Sequence, residues 1–228
     1  MKSGLAVIGM VLLSTPCVAE DSAVEPISHR AEIMKNSEWY KAKANSIETI
    51  GETARWRAAG ARWTGAVYCP YGTFANGFQI KLEGQQGSGD DTAMNGLWLV
   101  CKGATGGAEH VIQSGMGDWG KPVEPTQKCP AGEFLFSYEL REEPHRGPNH
   151  DDTSANGLRF GCRPYGSDQE IPSGTPLSQP GFWGDWRPRS KCGGKSLIVG
   201  VETLIEPAKS DNDDTAMNDV RFFCMAPL

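Results

Sequence analysis

Residues 90–101 have the sequence DDTAMNGLWLVC, residues 151–162 have DDTSANGLRFGC, and residues 213–224 have DDTAMNDVRFFC. Each copy of this block runs from two aspartates through Thr and Asn to a closing cysteine, and successive copies lie about 60 residues apart. Agreement of this length at three places does not arise by chance. The chain therefore contains a threefold internal repeat.

Each repeat carries the pattern of two β-strands. Upstream of the block, apolar residues recur with a period of two and include aromatic and β-branched types, which is typical of a strand with one buried face. A second strand follows each block, and the pairs Asn95-Gly96, Asn156-Gly157 and Asn218-Asp219 predict a short turn just before it. The predicted inner-face residues of the first strands are Phe74, Phe78, Ile80, Leu82, Phe134, Phe136, Tyr138, Leu140, Leu197, Val199, Val201 and Ile205. Those of the second strands are Leu97, Leu99, Cys101, Leu158, Phe160, Cys162, Val220, Phe222 and Cys224.

The composition is that of a turn-rich globular β-protein. Glycine contributes 28 of the 228 residues, well above the usual ~7%, and this favours a chain with many tight turns. The formal net charge is −6. Because binding to phosphate backbones and anionic headgroups depends on Lys and Arg, this charge argues against nucleic acid as a partner.

The amino terminus predicts secretion. Lys2 precedes an apolar run over Leu5–Leu13, and Val18-Ala19 ends a segment of small residues before an acidic stretch. This pattern is typical of a signal peptide, here over residues 1–19. The run is too short for a membrane span, which needs about 20 apolar residues, and Pro16 fits a lipoprotein site at Cys17 poorly. The mature protein is expected to be extracellular, or periplasmic in a bacterium.

Residues 20–59 form an amino-terminal extension ahead of the repeats. An approximate helical spacing relates Tyr40, Ala44, Ile47, Ala54 and Ala58. This spacing predicts a helix from Ser37 to Ala59 that ends at Gly60. The extension is interpreted either as a docking arm or as a solvated segment.

The cysteines predict three disulfides. Seven are present, and loss of Cys17 with the signal peptide leaves six, an even number typical of a secreted disulfide framework. Six cysteines allow 15 pairings, but joining the two cysteines of each repeat gives nearly equal separations of 32, 33 and 32 residues. The predicted disulfides are Cys69–Cys101, Cys129–Cys162 and Cys192–Cys224.

Several kinds of site find no support. The chain has no Cys-x-x-Cys pair and no histidine at a repeated position, which argues against zinc. The aspartates at 211–214 lack the spacing of a calcium loop, and neither a Gly-x-Ser-x-Gly elbow nor a phosphate-binding glycine loop is present. We therefore predict no metal and no cofactor.

The repeated unit, with its two cysteines, its hydrophobic strand, its glutamate and the DDT block, resembles the vitelline membrane outer layer protein I family. The resemblance covers roughly residues 60–228 and recurs in register three times. It implies an all-β fold, a β-prism of three Greek-key sheets around a pseudo-threefold axis, with repeats at about 60–110, 111–175 and 176–228. It also implies a secreted protein of glycoprotein matrices, and a chito-oligosaccharide transferase activity has been ascribed to the family.

Recurring carboxylates are the candidates for catalysis. Two carboxylates roughly 5 to 9.5 Å apart can transfer or hydrolyse a glycosidic bond, and the candidates are Glu83, Glu143, Glu206, Asp90, Asp151 and Asp213. The competing interpretation is structural, because Asp and Thr side chains also bind backbone amides in turns. For the aspartates, a residue present once per repeat is more naturally a turn lock than a catalyst needed once per protein. The glutamates fall at strand ends, where they could instead rim a cleft.

Tryptophans near the repeats are the candidates for glycan binding, because sugar rings stack on indole faces. Trp63, Trp119 and Trp186 precede the first cysteine of their repeats by 6, 10 and 6 residues, and Trp183 lies close to Trp186. Trp98 is predicted on an outer strand face, where the other repeats have Arg159 and Arg221. The competing interpretation is that each lead-in tryptophan plugs one end of its sheet.

The sequence thus favours a secreted matrix or surface-layer protein that binds glycans or extracellular glycoproteins without turnover. The first alternative is an enzyme that acts on N-acetylglucosamine oligosaccharides through paired carboxylates. A second alternative, by analogy of fold alone, is a toxin-like or lectin-like β-prism module. The geometry of the carboxylates distinguishes the first two.

Overall fold

The computed structural model describes residues 38–40, 43–87, 91–147, 152–208 and 215–227, and the predicted signal peptide lies outside them. Residues 38–40 are helical and Ala44–Ser46 form a 3-10 turn. The remaining regular structure is β-strand. The strands are β1 (Glu48–Gly51), β2 (Arg62–Trp63), β3 (Val67–Tyr68), β4 (Thr73–Leu82), β5 (Met94–Gly103), β6 (Gly106–Gln113), β7 (Lys121–Pro122), β8 (Gln127–Lys128), β9 (Glu133–Glu142), β10 (Ala155–Pro164), β11 (Leu177–Pro180), β12 (Asp185–Trp186), β13 (Ser190–Lys191), β14 (Leu197–Ile205) and β15 (Met217–Met225).

The strands form three five-stranded antiparallel sheets with one topology. Sheet I has the order β6-β5-β4, and the short strands β7 and β8 return to pair with the other edge of β4. Sheet II repeats this arrangement with β11-β10-β9 and the returning pair β12 and β13. Three consecutive strands followed by a return beside the first are a Greek key. The predicted β-prism of three Greek-key sheets is confirmed.

Sheet III is completed by the amino-terminal segment. Its long strands β14 and β15 lie at the end of the chain, whereas β1 pairs with β15, and β2 and β3 pair with β14. The predicted helix over Ser37–Ala59 is therefore wrong, because Glu48–Gly51 is extended and binds the open edge of β15. The prism accordingly begins before residue 60. The lead-in strands to the second and third repeats belong to sheets I and II, and those to the first repeat belong to sheet III.

The core lies where the inner faces of the three sheets meet. Phe160 contacts Phe78 and Phe222, with ring centroids 4.6 and 5.1 Å apart, and Tyr138 lies 4.7 Å from Phe222. All four side chains are buried. The predicted inner faces of the second strands are confirmed, since all of those residues lie in this core.

The first strand of each repeat departs from simple alternation. A β-bulge interrupts the pairing between Ala75 and Gly77 in sheet I, and equivalent shifts occur in sheets II and III. One inserted residue exchanges the faces of a strand. The predicted inner face is therefore wrong at the beginning of these strands: the central core takes Ala75, Leu135 and Ile198, while Phe74, Phe134, Phe136, Leu197 and Val199 form a second cluster with Tyr40.

Two glycines let the returning strands approach the bulges. A Cβ at Gly77 would lie 2.6 Å from the carbonyl oxygen of Gln127, and one at Gly200 would lie 2.6 Å from the Tyr68 ring. Both distances are shorter than any real Cβ contact. Part of the high glycine content thus serves close backbone packing.

The three predicted disulfides are present, with Cα–Cα distances of 5.7 Å for Cys69–Cys101 and 5.8 Å for both Cys129–Cys162 and Cys192–Cys224. In each bond the first cysteine directly follows a short returning strand (β3, β8 or β13), and the second lies in a long strand (β5, β10 or β15). Within the described ranges, no helix has the length and hydropathy that crossing a membrane requires.

Candidate functional site

The repeated glutamates lock a strained turn in each sheet. In the turn before the second long strand, Ala93, Ser154 and Ala216 adopt positive φ angles of 46°, 52° and 46°, a conformation that costs non-glycine residues free energy. The amides of Glu83, Glu143 and Glu206 donate to the carbonyls of these same residues at 2.7 to 2.8 Å.

Each glutamate side chain also binds the threonine of the DDT block. The hydroxyls of Thr92, Thr153 and Thr215 donate to Oε2 of the repeat glutamate at 2.6, 2.7 and 2.8 Å, and the threonine amides donate to the same oxygen. Two charge-assisted hydrogen bonds therefore hold each carboxylate in place.

The asparagine of the block connects this turn to the lead-in segment. Asn95 Nδ2 donates to Thr92 Oγ1 at 2.7 Å, and Asn95 Oδ1 accepts the amide of Trp119 at 3.2 Å. Asn156 and Asn218 bind the amides of Trp183 and Ala58 in the same way. The predicted Asn-Gly turns are wrong, because Asn95-Gly96 and its counterparts lie inside the strands and these asparagine side chains make tertiary contacts.

The second aspartate of the block closes the loop after the glutamate. Asp91 Oδ1 accepts the amide of Gln86 at 2.6 Å, and Asp152 Oδ2 accepts that of Arg146 at 2.9 Å. The first aspartates, Asp90, Asp151 and Asp213, lie outside the described residues. For Glu83, Glu143 and Glu206, the geometry supports the turn-lock interpretation rather than a free catalytic carboxylate.

The lead-in tryptophans occupy two different structural positions. Trp63 pairs with Leu204 on sheet III and Trp186 with Arg141 on sheet II, while the equivalent position on sheet I is Pro122, opposite Lys81. The alignment of Trp119 with Trp63 and Trp186 is therefore wrong. Trp119 corresponds to Trp183, since both donate a backbone amide to the asparagine of the preceding block.

On sheets II and III, an arginine covers the lead-in tryptophan. Arg221 Cζ lies 4.3 Å from the ring centroid of Trp63, and Arg159 Cζ lies 4.5 Å from that of Trp186. Arg221 also donates to Glu202 at 2.8 Å, and Arg159 to Glu139 at 2.9 Å. Each indole is thus held by a guanidinium that a carboxylate fixes in turn.

A cleft of about 490 Å³ lies where sheet III meets sheet I. Trp63 lines it from sheet III and Trp119 from the loop before β7, together with Arg62, Asp118 and Met116. The rest of the lining comprises Thr64, Gly117, Ile205, Glu206, Pro207 and Ala208. Two tryptophans from different repeats therefore share one concave surface with one arginine, Arg62, and two acidic residues, Asp118 and the turn-locking Glu206.

The other candidate tryptophans lie elsewhere. Trp183 makes an edge contact with exposed Phe182 at 5.3 Å. Trp98 is half-buried on the outer face of sheet I, where its Nε1 donates to Gln113 Oε1 at 3.0 Å. The structure thus brings together two of the five predicted glycan-binding tryptophans.

Sequence reasoning missed the segment that covers the boundary between sheets II and III. The indole of Trp56 stacks on His145 with a centroid distance of 4.6 Å, and its amide donates to buried Glu142 at 3.0 Å. One residue further, Arg57 pairs with buried Asp219 at 2.6 Å. The sequence does contain a sign of this contact. Glu142 stands where the other repeats have apolar residues, and Asp219 stands where they have glycine.

The buried carboxyl of Asp219 has a raised pKa. Burial raises the pKa of Asp219, and this effect outweighs the opposing hydrogen bonds from Arg57 and the Val220 amide. Removing the charged form from water is the dominant cause.

Comparison with known proteins places the chain in a family. The model of the family described as vitelline membrane outer layer protein I matches residues 50–227, a range that begins within β1. A mouse (Mus musculus) protein named vitelline membrane outer layer protein 1 homolog is 41% identical over 167 residues, which cover 72% of this chain and 77% of that protein. The human (Homo sapiens) homolog of the same name is 40% identical over 166 residues, which cover 71% and 76%.

Among solved structures, the agglutinin of Calystegia sepium superposes with a TM-score of 0.45 and 13% sequence identity, covering 77% of this chain and 95% of its own. The match of the family model to most of the chain, together with relatives at about 40% identity, decides the assignment. The chain belongs to the vitelline membrane outer layer protein I family.

Proposed function

We propose that this protein binds glycans or glycoproteins in an extracellular layer, and that the cleft between Trp63 and Trp119 is the binding site. The observation that carries this proposal is the convergence of two tryptophans from different repeats on one concave surface. Indole faces stack on the apolar faces of sugar rings, while side chains such as Arg62 and Asp118 can hydrogen-bond to hydroxyls at the ring edge.

The size and chemistry of the cleft support a sugar ligand. Its volume of about 490 Å³ lies within the ~300 to 1,000 Å³ of small-molecule sites. The lining joins apolar groups such as Met116 and Ile205 to a small number of polar ones, the usual composition of a site in which shape gives affinity and hydrogen bonds give orientation.

An extracellular location is supported by two independent features. Three disulfides each join the two cysteines of one repeat, and such bonds persist in oxidising compartments. The apolar segment over Leu5–Leu13 has the pattern of a signal peptide. The relatives are named after the outer layer of the vitelline membrane, which agrees with a role outside the cell.

A glycan array tests the proposal. The wild-type protein is expected to be retained on a defined set of glycans, and Trp63→Ala and Trp119→Ala are expected to lose that retention. Trp186→Ala is the matched control, because Trp186 carries the same arginine stack as Trp63 but does not line the cleft. Absence of retention by the wild type, or equal retention by all four proteins, would contradict the proposal.

Binding without turnover has its own test. Each repeat glutamate accepts two hydrogen bonds on Oε2, so the proposal expects chitohexaose to keep its length after incubation with the protein. Longer or shorter products that disappear in a triple Glu83→Gln, Glu143→Gln, Glu206→Gln variant would favour the enzymatic alternative.

A further inference from the structure

The outer face of sheet I carries a row of neutral side chains that the other sheets lack. Gln113, Trp98 and Gln79 lie side by side on β6, β5 and β4, since Trp98 pairs with both glutamines. The equivalent row on sheet II is Ser178, Arg159 and Glu139, and on sheet III it is Gly51, Arg221 and Glu202.

Three positions differ together on sheet I. Where sheets II and III have arginine, glutamate and the lead-in tryptophan, sheet I has Trp98, Gln79 and Pro122. On sheets II and III the arginine donates hydrogen bonds to the neighbouring glutamate and stacks on the lead-in tryptophan of the same sheet. In the described part of the chain, no guanidinium or ammonium group stacks on Trp98. Sheet I has exchanged an internal ion pair for an uncharged aromatic and amide surface.

The hydrogen bonds of this row leave it ordered. Gln113 Oε1 accepts the indole N–H of Trp98, and Gln79 Nε2 donates to the carbonyl of Val123 at 3.1 Å. The nearby Lys81 is directed away, because its ammonium donates to the carbonyls of Gly117 and Asp118 at 2.8 and 3.1 Å. An indole flanked by fixed amides is suited to an uncharged sugar ring, whose face stacks while its hydroxyls bind the amides.

The row is continuous with the cleft. Three residues after Gln113, Met116 lines the cleft. The Met116 side chain also packs against the backbone of Gly96, because a Cβ added at Gly96 would overlap the sulfur of Met116. Gly96 is two residues from Trp98 on the same strand, a separation of about 7 Å. The backbone of Trp98 therefore lies about one sugar unit along β5 from the residue that Met116 covers.

We propose that Trp98, Gln79 and Gln113 form a second subsite that extends the cleft, so that the preferred ligand is an uncharged linear oligosaccharide covering both. This inference rests on the proposed glycan-binding function. It predicts that affinity depends on chain length and that Trp98 contributes to long ligands alone, whereas Trp63 and Trp119 contribute to short and long ligands alike.

Calorimetric titration of the full mature chain with two- and six-unit members of the chito-, cello- and manno-oligosaccharide series tests the proposal. The hexamer of at least one series should bind the wild type more tightly than its dimer. Trp98→Ala should weaken hexamer binding roughly fivefold or more and leave dimer binding unchanged. The double variant Trp98→Arg with Gln79→Glu, which rebuilds the ion pair of the other sheets, should have the same effect while keeping a folded outer face.

Indole N–H resonances in a two-dimensional 15N NMR spectrum provide a second measurement. The Trp98 signal should shift with the hexamer and not with the dimer. Equal hexamer affinity for the wild type and both variants, or equal loss of dimer and hexamer binding, would overturn the second subsite while leaving the cleft in place. A wild type that binds no member of the three series would overturn the second subsite for uncharged linear oligosaccharides, whereas the proposed function itself is overturned only if the glycan array also retains nothing.

Discussion

The guanidinium of Arg221 stacks on the indole of Trp63 with 4.3 Å between Cζ and the ring centroid, and Glu202 and Glu52 both accept hydrogen bonds from that guanidinium. Arg221 is therefore a positioning residue for one wall of the cleft. Arg221→Ala is expected to lower glycan affinity by roughly two- to fivefold, the value of one partly exposed cation–π contact. Affinity is measured by calorimetric titration.

The matched control for Arg221 is Arg159→Ala, which removes the equivalent stack on Trp186. Both variants break one stack and an ion pair with a buried glutamate. Arg221→Ala also breaks a more exposed ion pair with Glu52, so it should lose at least as much stability as Arg159→Ala. Only Arg221→Ala should lose affinity, and a loss of affinity in both variants would contradict the assignment of Arg221 to the cleft.

The turn locks are expected to contribute strongly to stability. Thr153→Val keeps the shape of the side chain but removes the hydroxyl that donates to buried Glu143 and accepts from buried Asn156. Leaving these groups unsatisfied should lower the free energy of unfolding by about 1 to 3 kcal/mol, measured by urea denaturation. Exposed Thr175→Val should change it by less than about 0.5 kcal/mol, and similar values for the two variants would argue against the lock.

Closure of sheet III by the amino terminus predicts the effect of truncation. A chain that begins at residue 60 lacks β1, which leaves the edge of β15 unpaired and removes the buried side chain of Ile50. An open edge of this kind promotes association. Such a chain is expected to aggregate or to unfold at lower urea concentration than residues 20–228, as seen by size-exclusion chromatography and denaturation. Equal behaviour of the two chains would show that β1 is dispensable.

Asp219 should give the protein a particular dependence on pH. Because burial raises its pKa in the folded state, the folded protein binds this proton more tightly than the unfolded chain does. The contribution of Asp219 to stability is therefore greatest below its ordinary pKa and is lost as the pH rises through the raised value. The stability of the wild type relative to Asp219→Asn should fall as the pH rises above the ordinary aspartate pKa of about 3.9, and a relative stability that rises with pH there would contradict this expectation.

The threefold repeat made most of the fold predictable. Repeated spacing relates Cys69, Cys129 and Cys192 to their partners, so a local rule selects among many disulfide pairings. The pairing of Glu48–Gly51 with β15 could not be found in this way, because it joins segments at opposite ends of the chain, and alanines such as Ala44 and Ala58 imitate a helical stripe. The bulges were missed because one inserted residue leaves the apolar content of the strand unchanged.

The candidate site was predictable only in part. Indole chemistry identified Trp63 and Trp119, but their meeting in one cleft depends on sheet III packing against sheet I. The arginine stacks carried a signal in the sequence, since Arg221 occurs with Trp63 and Arg159 with Trp186, whereas Trp98 occurs with Pro122. Only the strand register shows that these arginines and tryptophans lie on the same face of one sheet.

The proposed function depends on glycan binding in the cleft between Trp63 and Trp119. The most direct measurement is the dissociation constant of the best-retained array glycan for the wild type, Trp119→Ala and Trp183→Ala, because Trp119 and Trp183 are structural counterparts and only Trp119 lines the cleft. Trp119→Ala is expected to bind at least about tenfold more weakly, and Trp183→Ala is expected to bind like the wild type. Equal dissociation constants for all three proteins would contradict the proposed function.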